Sequence, residues 1–473
     1  MAQIKTLYPI IVSILVFCVI LIYKILKSRI KPKKDKKITF LLGAGASAAF
    51  ISKDGVALTT DYLTNSLMNP DLWDSILLDF KKYFIESKNS YVWNIDKEDV
   101  LFVLKRIKDS ISTKNKPNFE NLLYLLDIVV LNLQCKYDWI EGILPDFWCD
   151  KYPDVKKQAF SKSDGQGWRY VPFLAREVLI KAILDIWGDE DALVKKSIAA
   201  NNLFYKKINT QFRFLNLYSL NYDPLLCESI KDIADIKNTF SGINIGFKNE
   251  DFMKAEKIIA FLHGHVGFLP LGNRMYFETN YRDAQVQRLK NIFRNDTYDT
   301  KYFDISSAGK HYNTYFISGL KKIDAFYSNP FACYMHRFSK DILESDYIVV
   351  IGCSLDDDHL ILFLLNTLTY SKKKILFVTK EVAEKDKDLF NQPFIDKFIK
   401  AWHKSGDVLK IPLNSADFDL SHHWDQSNKN LINNGFAKIS NNVFMYIKGT
   451  EEFYKISSIE DLFVSISETQ KAL

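Results

Sequence analysis

Residues 38–50 read ITFLLGAGASAAF. An apolar run, Ile38–Leu42, breaks into Gly43-x-Gly45-x-Ser47. This reads as a buried strand that turns tightly and opens a helix. Gly43 permits the turn, Gly45 lets the main chain approach a pyrophosphate, and the helix N-terminus favours the anion. The stretch also fits the dinucleotide pattern G-x-G-x-x-A, with Ala48 last. A nicotinamide dehydrogenase built this way needs a second strand ending in an acid roughly 20 residues on. Asp61 instead sits in TTDYLTNSL, which does not read as a strand end, so hydride transfer loses ground.

Working outward, four more runs rich in β-branched and aromatic residues read as strands. They are Arg213–Leu220, Ile258–Leu262, Tyr347–Ile351 and Ile375–Thr379. Each ends in a polar turn, as strands of a parallel sheet do where a ligand binds. The interval before the second strand is far longer than the dozen or so residues that a crossover needs. Its apolar spacing is helical at 71–85, 99–111, 118–133 and 172–187, with Asn118 as a cap. The expected fold is therefore α/β, a Rossmann-like parallel sheet with a large α-helical insertion at about 60–210. The nucleotide-binding domain spans 38–400. Residues 401–473 form a C-terminal α+β extension, with a hairpin turning at Asn441-Asn442 and a short helix capped by Ser457 or Ser458.

The N-terminus adds a second expectation. Residues 6–23 carry no charge, and Leu7–Tyr23 holds twelve Leu, Ile, Val or Phe. Eight Lys or Arg follow between Lys24 and Lys37. This pattern predicts one transmembrane helix, with 1–37 as anchor and basic juxtamembrane segment. The basic flank places the remainder in the cytoplasm, at the inner membrane. The chain is +6 and residues 1–37 carry +8, so 38–473 sum to −2. That balance argues against nucleic acid as a partner. The six cysteines form no C-x-x-C pair, so no zinc site or other metal is expected.

The strand ends carry the chemistry. SLNYDPLL (219–226) offers Asn221, a neutral amide for a water or ribose hydroxyl, and Asp223, an acceptor for a carboxamide or hydroxyl. FLHGHVGF (261–268) offers His263, placed as a general base because its ordinary pKa is near neutrality; His265 is the poorer candidate by position. VVIGCSLDDDHL (349–360) offers Gly352 for close approach and Ser354 for a phosphate. Asp356–Asp358 read as a solvated helix cap.

In order, GAG-x-S, NYD, HG and G-x-S-L resemble the sirtuin superfamily, specifically its bacterial sirtuin-like, NAD-cleaving branch. The run GLKKIDAFYSNPFACYMHRFSKDILESDYIVVIGCSLDD (319–357) is similar to that branch as well. The resemblance covers roughly 38–60 and 213–380. It implies that Gly43, Ala44, Gly45 and Ser47 cradle the NAD phosphates, and that Asn221 and Asp223 contact the nicotinamide and its ribose. His263 would be the general base. Gly352 and Ser354 would hold the adenosine side of the pyrophosphate, and Thr379 its ribose. NAD is then substrate rather than cofactor, and the implied activity is that of an NAD+ glycohydrolase releasing nicotinamide and ADP-ribose. The branch also implies an NAD-depleting, anti-phage defence effector acting with a sensor protein or as a homo-oligomer.

The four-Cys zinc module and the Pro-Asp-Phe-Arg segment of deacylating sirtuins are both absent; SKDGVALTTDYL stands in place of the latter. A non-catalytic NAD or ADP-ribose sensor at the membrane and an NAD-dependent protein deacylase or ADP-ribosyltransferase stay open as alternatives.

Overall fold

The computed structural model describes residues 34–48, 58–87, 171–188, 192–237, 246–271, 274–294, 329–353, 373–379, 436–438, 443–446 and 449–456, with short groups at 101, 104–105, 118–123, 126, 316–317, 357, 360, 363–364, 367 and 459. The chain begins with β1 (Lys34–Leu42), α1 (Ala44–Ala48), α2 (Thr60–Leu67) and α3 (Pro70–Ser87). It continues through α4 (Val171–Trp187), α5 (Ala192–Gln211), β2 (Phe212–Ser219), α6 (Leu225–Ile230) and α7 (Asn249–Lys254). Next come β3 (Lys257–Phe261), a small antiparallel pair β4 (Phe268–Leu271) and β5 (Arg274–Phe277), α8 (Tyr281–Arg294) and α9 (Phe331–Glu344). The last described elements are β6 (Tyr347–Ile351), β7 (Lys374–Val378), β8 (Phe436–Lys438), β9 (Val443–Tyr446) and α10 (Gly449–Phe453).

One sheet organises these elements, in the order β3-β2-β1-β6-β7-β9-β8. Six strands run parallel, and β8 is antiparallel to β9. Every residue of β3, β6 and β9 is buried, as expected for strands covered on both faces. From β1 the chain builds outward through β2 and β3, then returns to place β6 on the other flank of β1. The carboxyl ends of β1 and β6 therefore face a topological switch point, where open α/β sheets form their binding crevice.

The expected strands are present, all but β1 within a residue of their expected bounds. β1 starts at Lys34 rather than 38. Its charged end is held by ion pairs, Lys37 to Asp341 and Glu344, while the neighbouring Arg213 joins Asp35 to Glu256. The C-terminal hairpin, expected from its sequence, joins the main sheet through β9 against β7. Behind it, Tyr454 packs on Phe204 of α5 with ring centroids 4.8 Å apart, and Phe204 in turn meets Phe40 of β1. In the helical interval, α2, α3 and α4 pack together and α8 joins them. Trp73 is fully buried and donates to the Leu67 carbonyl at 2.9 Å. Asn118 does act as a cap, accepting from the Asn121 amide at 2.8 Å. Most of the helix expected at 99–111 lies outside the described residues, as does most of the one after Ser458.

The expected fold needs one correction. The structure supports the α/β parallel sheet, but among the described residues no helix is long and apolar enough to cross a membrane. The run at 6–23 that predicted a transmembrane helix lies outside the described residues. The fold is thus an α/β sheet with helices, and an anchor is not one of its observed elements.

Candidate active site

Two glycine loops form the floor of the crevice. Leaving β1, Gly43 donates its amide to the Ile351 carbonyl at 2.8 Å, and Gly45 donates to the Gly352 carbonyl at 2.9 Å. A Cβ on Gly45 would lie 2.7 Å from the Gly352 Cα. One on Gly352, whose φ is +61°, would lie 2.4 Å from Ala46 N and from Gly45 Cα and C. The close approach expected at Gly45 and Gly352 is therefore real, but the atoms approached belong to the opposite loop. These glycines let the β1 and β6 turns stack directly on each other. Ser354 lies outside the described residues.

Asn221 ties the next strand end to this floor. Its Nδ2 donates to the Gly43 carbonyl at 2.9 Å and to Ser47 Oγ at 2.7 Å. Both amide hydrogens are thereby engaged, leaving Oδ1 as its acceptor. Ser47 also hydrogen-bonds the Asp223 carboxylate, whose Oδ1 accepts from the Leu225 amide at 3.0 Å. Burial pushes the Asp223 carboxyl up from its ordinary value, and those hydrogen bonds act in the opposite direction. Asn221, Ser47 and Asp223 are one connected polar network.

His263 follows β3 at a sharp turn, where Gly264 adopts φ +100°. The His263 carbonyl accepts from the Ile317 amide at 2.8 Å. Its ring is almost wholly buried, and Nε2 lies 3.6 Å from Asp357 Oδ2. His265, two residues on, has a different environment. It packs among Phe261, Phe277 and Tyr281, and its Nδ1 accepts from the Gly267 amide at 3.0 Å. Burial lowers its pKa to about 3, so it is neutral. The same loop is braced by Arg288 of α8. Its Nη1 donates to the Val266 and Phe268 carbonyls, both at 2.8 Å, and its Nε to Glu177 Oε1 of α4 at 2.8 Å.

A cavity of about 180 Å³ brings together Gly43, Ala44, Ser47, Asn221, Asp223, His263 and Gly352. Gly45 and Thr379 do not line it. Gly45 underlies the stacked loops, and the Thr379 main chain bonds Tyr446 and Gly449. The sequence reading missed four polar lining residues as parts of the site: Thr60, Glu120, Tyr222 and Asp357. The Tyr222 hydroxyl lies 3.1 Å from the Ile317 carbonyl and 3.3 Å from Glu120 Oε1. Burial, then the nearby Glu120 and Asp357, push the Tyr222 hydroxyl well above its ordinary value, so it stays protonated. Tyr222 lies inside the NYD motif, and Asn118 as a cap puts Glu120 in the first turn of its helix. No sequence pattern could say that this turn faces the β2 loop. Cys353 also lines the cavity, but burial pushes its thiol up and keeps it unreactive. Among the described residues no group of three or more His, Cys, Asp or Glu could hold a metal ion.

The arrangement places a base candidate, a neutral amide oxygen and three carboxyl groups around one small space. Such a lining accommodates a developing positive charge and a single activated water. No protein-family model matches the chain, and no curated protein matches it.

Proposed function

We propose that the chain is a sirtuin-like NAD+ glycohydrolase. The observation that carries this reading is the meeting of Asn221, Asp223 and His263 in one cavity at the switch point of a parallel sheet, with Glu120 and Asp357 beside them. In the reaction, the bond between nicotinamide and ribose C1′ breaks and nicotinamide leaves with the bonding pair as a neutral molecule. Water adds to C1′ and one proton is released, giving ADP-ribose. The cationic leaving group needs little acid assistance. The demand falls on stabilising an oxocarbenium-like transition state and on delivering one water. His263 takes the proton of that water or of a ribose hydroxyl, Asn221 Oδ1 orients it, and the carboxylates favour the cationic centre. The role in NAD-depleting defence rests on the family resemblance alone.

The test is nicotinamide release from NAD+ by the purified full chain, followed by chromatography. His263→Gln should lose at least ~100-fold in rate while keeping the wild-type melting temperature. Asn221→Ala is a weaker test, because that side chain also holds the Gly43 turn. Equal rates for wild type and His263→Gln would refute the reading. Tight binding of intact NAD+ by calorimetry, with no nicotinamide released, would replace it with the sensor.

A further inference from the structure

We propose that Asp357 is the positioning residue of His263, fixing its imidazole and offsetting the charge that forms when the ring takes up a proton. The proposal rests on the reading of His263 as the base, and its core is a contact that chain connectivity does not force. His263 leaves β3 and Asp357 leaves β6, and two strands, β2 and β1, separate these in the sheet. The two side chains nevertheless meet at 3.6 Å across the cavity. That spacing lies just outside a hydrogen bond, and catalytic pairs are often looser before substrate binds. The turn that carries Asp357 is held by its main chain, whose carbonyl accepts from the Leu360 amide at 3.0 Å. His263 is 3% exposed and Asp357 23%, so the carboxylate stands at the rim and the imidazole inside.

The chemistry follows from the geometry. With Nε2–H directed to Asp357, Nδ1 carries the lone pair. The O–H bond of water or of a ribose hydroxyl breaks, an Nδ1–H bond forms, and the oxygen keeps the electron pair. The ring becomes an imidazolium beside a carboxylate that itself stays unprotonated. Other groups also surround this ring. Tyr222 lies 6.5 Å away between ring centroids and is protonated. Glu120 stands behind the Tyr222 hydroxyl, and Asp223 lines the same cavity. Arg176 of α4 acts on Tyr222 with positive charge. Among these groups, Asp357 is the one with a carboxylate oxygen at ion-pair distance from the imidazole.

The experiment uses the full chain labelled with 13C-histidine, with the His263 resonance assigned by its loss in His263→Gln. Each protein is titrated by NMR and assayed for nicotinamide release across pH. In Asp357→Asn, the His263 pKa should fall by about one unit or more, because the anion that favoured the imidazolium is gone. The acid limb of the rate profile should move to lower pH with it, and kcat should drop at least ~10-fold with little change in KM. Asp357→Glu should restore part of both. An unchanged His263 pKa in Asp357→Asn overturns the proposal. Should Asp357→Asn fail to fold, Asp357→Glu and Asp357→Ser decide it: the pKa must fall in the second and stay clearly higher in the first. If the wild type releases no nicotinamide, the glycohydrolase reading fails, and the titration still decides the pairing.

Discussion

Replacing Gly352 with alanine should cost far more than the loss of a flexible residue. The position has φ +61°, and an added Cβ would sit 2.4 Å from three main-chain atoms of the β1 turn. A left-handed conformation costs an L-residue about 1–2 kcal/mol. Forcing a methyl into closed packing adds roughly 1–3 kcal/mol. Moving the loops apart also strains the 2.9 Å bond from Gly45 N to Gly352 O, worth about 1 kcal/mol. The total is of the order of 3–6 kcal/mol. Gly188 is an internal control, since its φ is also positive, at +41°, but the nearest atom to a new Cβ is 3.9 Å away. Gly188→Ala should therefore cost only the conformational part, about 1–2 kcal/mol. Paired denaturant unfolding curves would measure both. Equal losses for the two variants would refute the claim that the β1 and β6 turns need glycine in order to stack.

Arg288 and Glu177 form a buried ion pair, both nearly inaccessible to solvent. Arg288→Met should destabilise by ~3–5 kcal/mol because it strands a buried carboxylate, and Glu177→Leu added to it should recover a large part. Thermal melts of the single and double variants check this, and no recovery would refute it. His265 gives a pH signature. Its pKa is about 3 folded against an ordinary 6.5, so the unfolded chain binds the extra proton between these limits. Its stabilising contribution is complete above pH 6.5 and is lost as pH falls toward 3. Between pH 7 and 4.5 the loss is roughly 2–3 kcal/mol from this group. His265→Asn keeps an acceptor for Gly267 but cannot titrate, so unfolding curves at the two pH values should converge by that amount. An unchanged pH dependence would sink the assignment.

The parallel strands were legible because each is a short, continuously apolar run bounded by a polar turn, and β6 is found at 347–351 as its sequence suggests. The start of β1 was not, because Lys34, Lys36 and Lys37 give it the composition of a linker. Pairing with β2 makes a strand of it, and Lys37 is held by Asp341 and Glu344 of α9, more than 300 residues later. The hairpin could be read from its Asn441-Asn442 turn signal, whereas its place beside β7 could not, since parallel pairing leaves no local pattern. The pair β4–β5 and helices α7, α8, α9 and α10 went unread, and α5 was legible only as part of the helical insertion. At the site, residues at strand ends were legible, as their position in an α/β sheet already implies where they point. Glu120 and Asp357 were not, because their relevance depends on which loop they meet. The glycines were legible as a tight turn, but their partner turned out to be another turn of the same chain.

The β1 turn also fixes when this protein can be finished. Thr450 Oγ1 donates to the Gly45 carbonyl at 3.3 Å, across 405 positions of sequence. At ~5–20 residues per second, a ribosome needs about 20–80 s to make that interval. For most of that time the nascent chain carries the first glycine loop without the β6 turn that stacks on it, and for all of it without Thr450. Contacts of such long separation also form late in refolding, since chain closure must precede any gain from them. The cavity lining itself runs from Leu41 to Leu364, so the site closes only after most of the chain has been made.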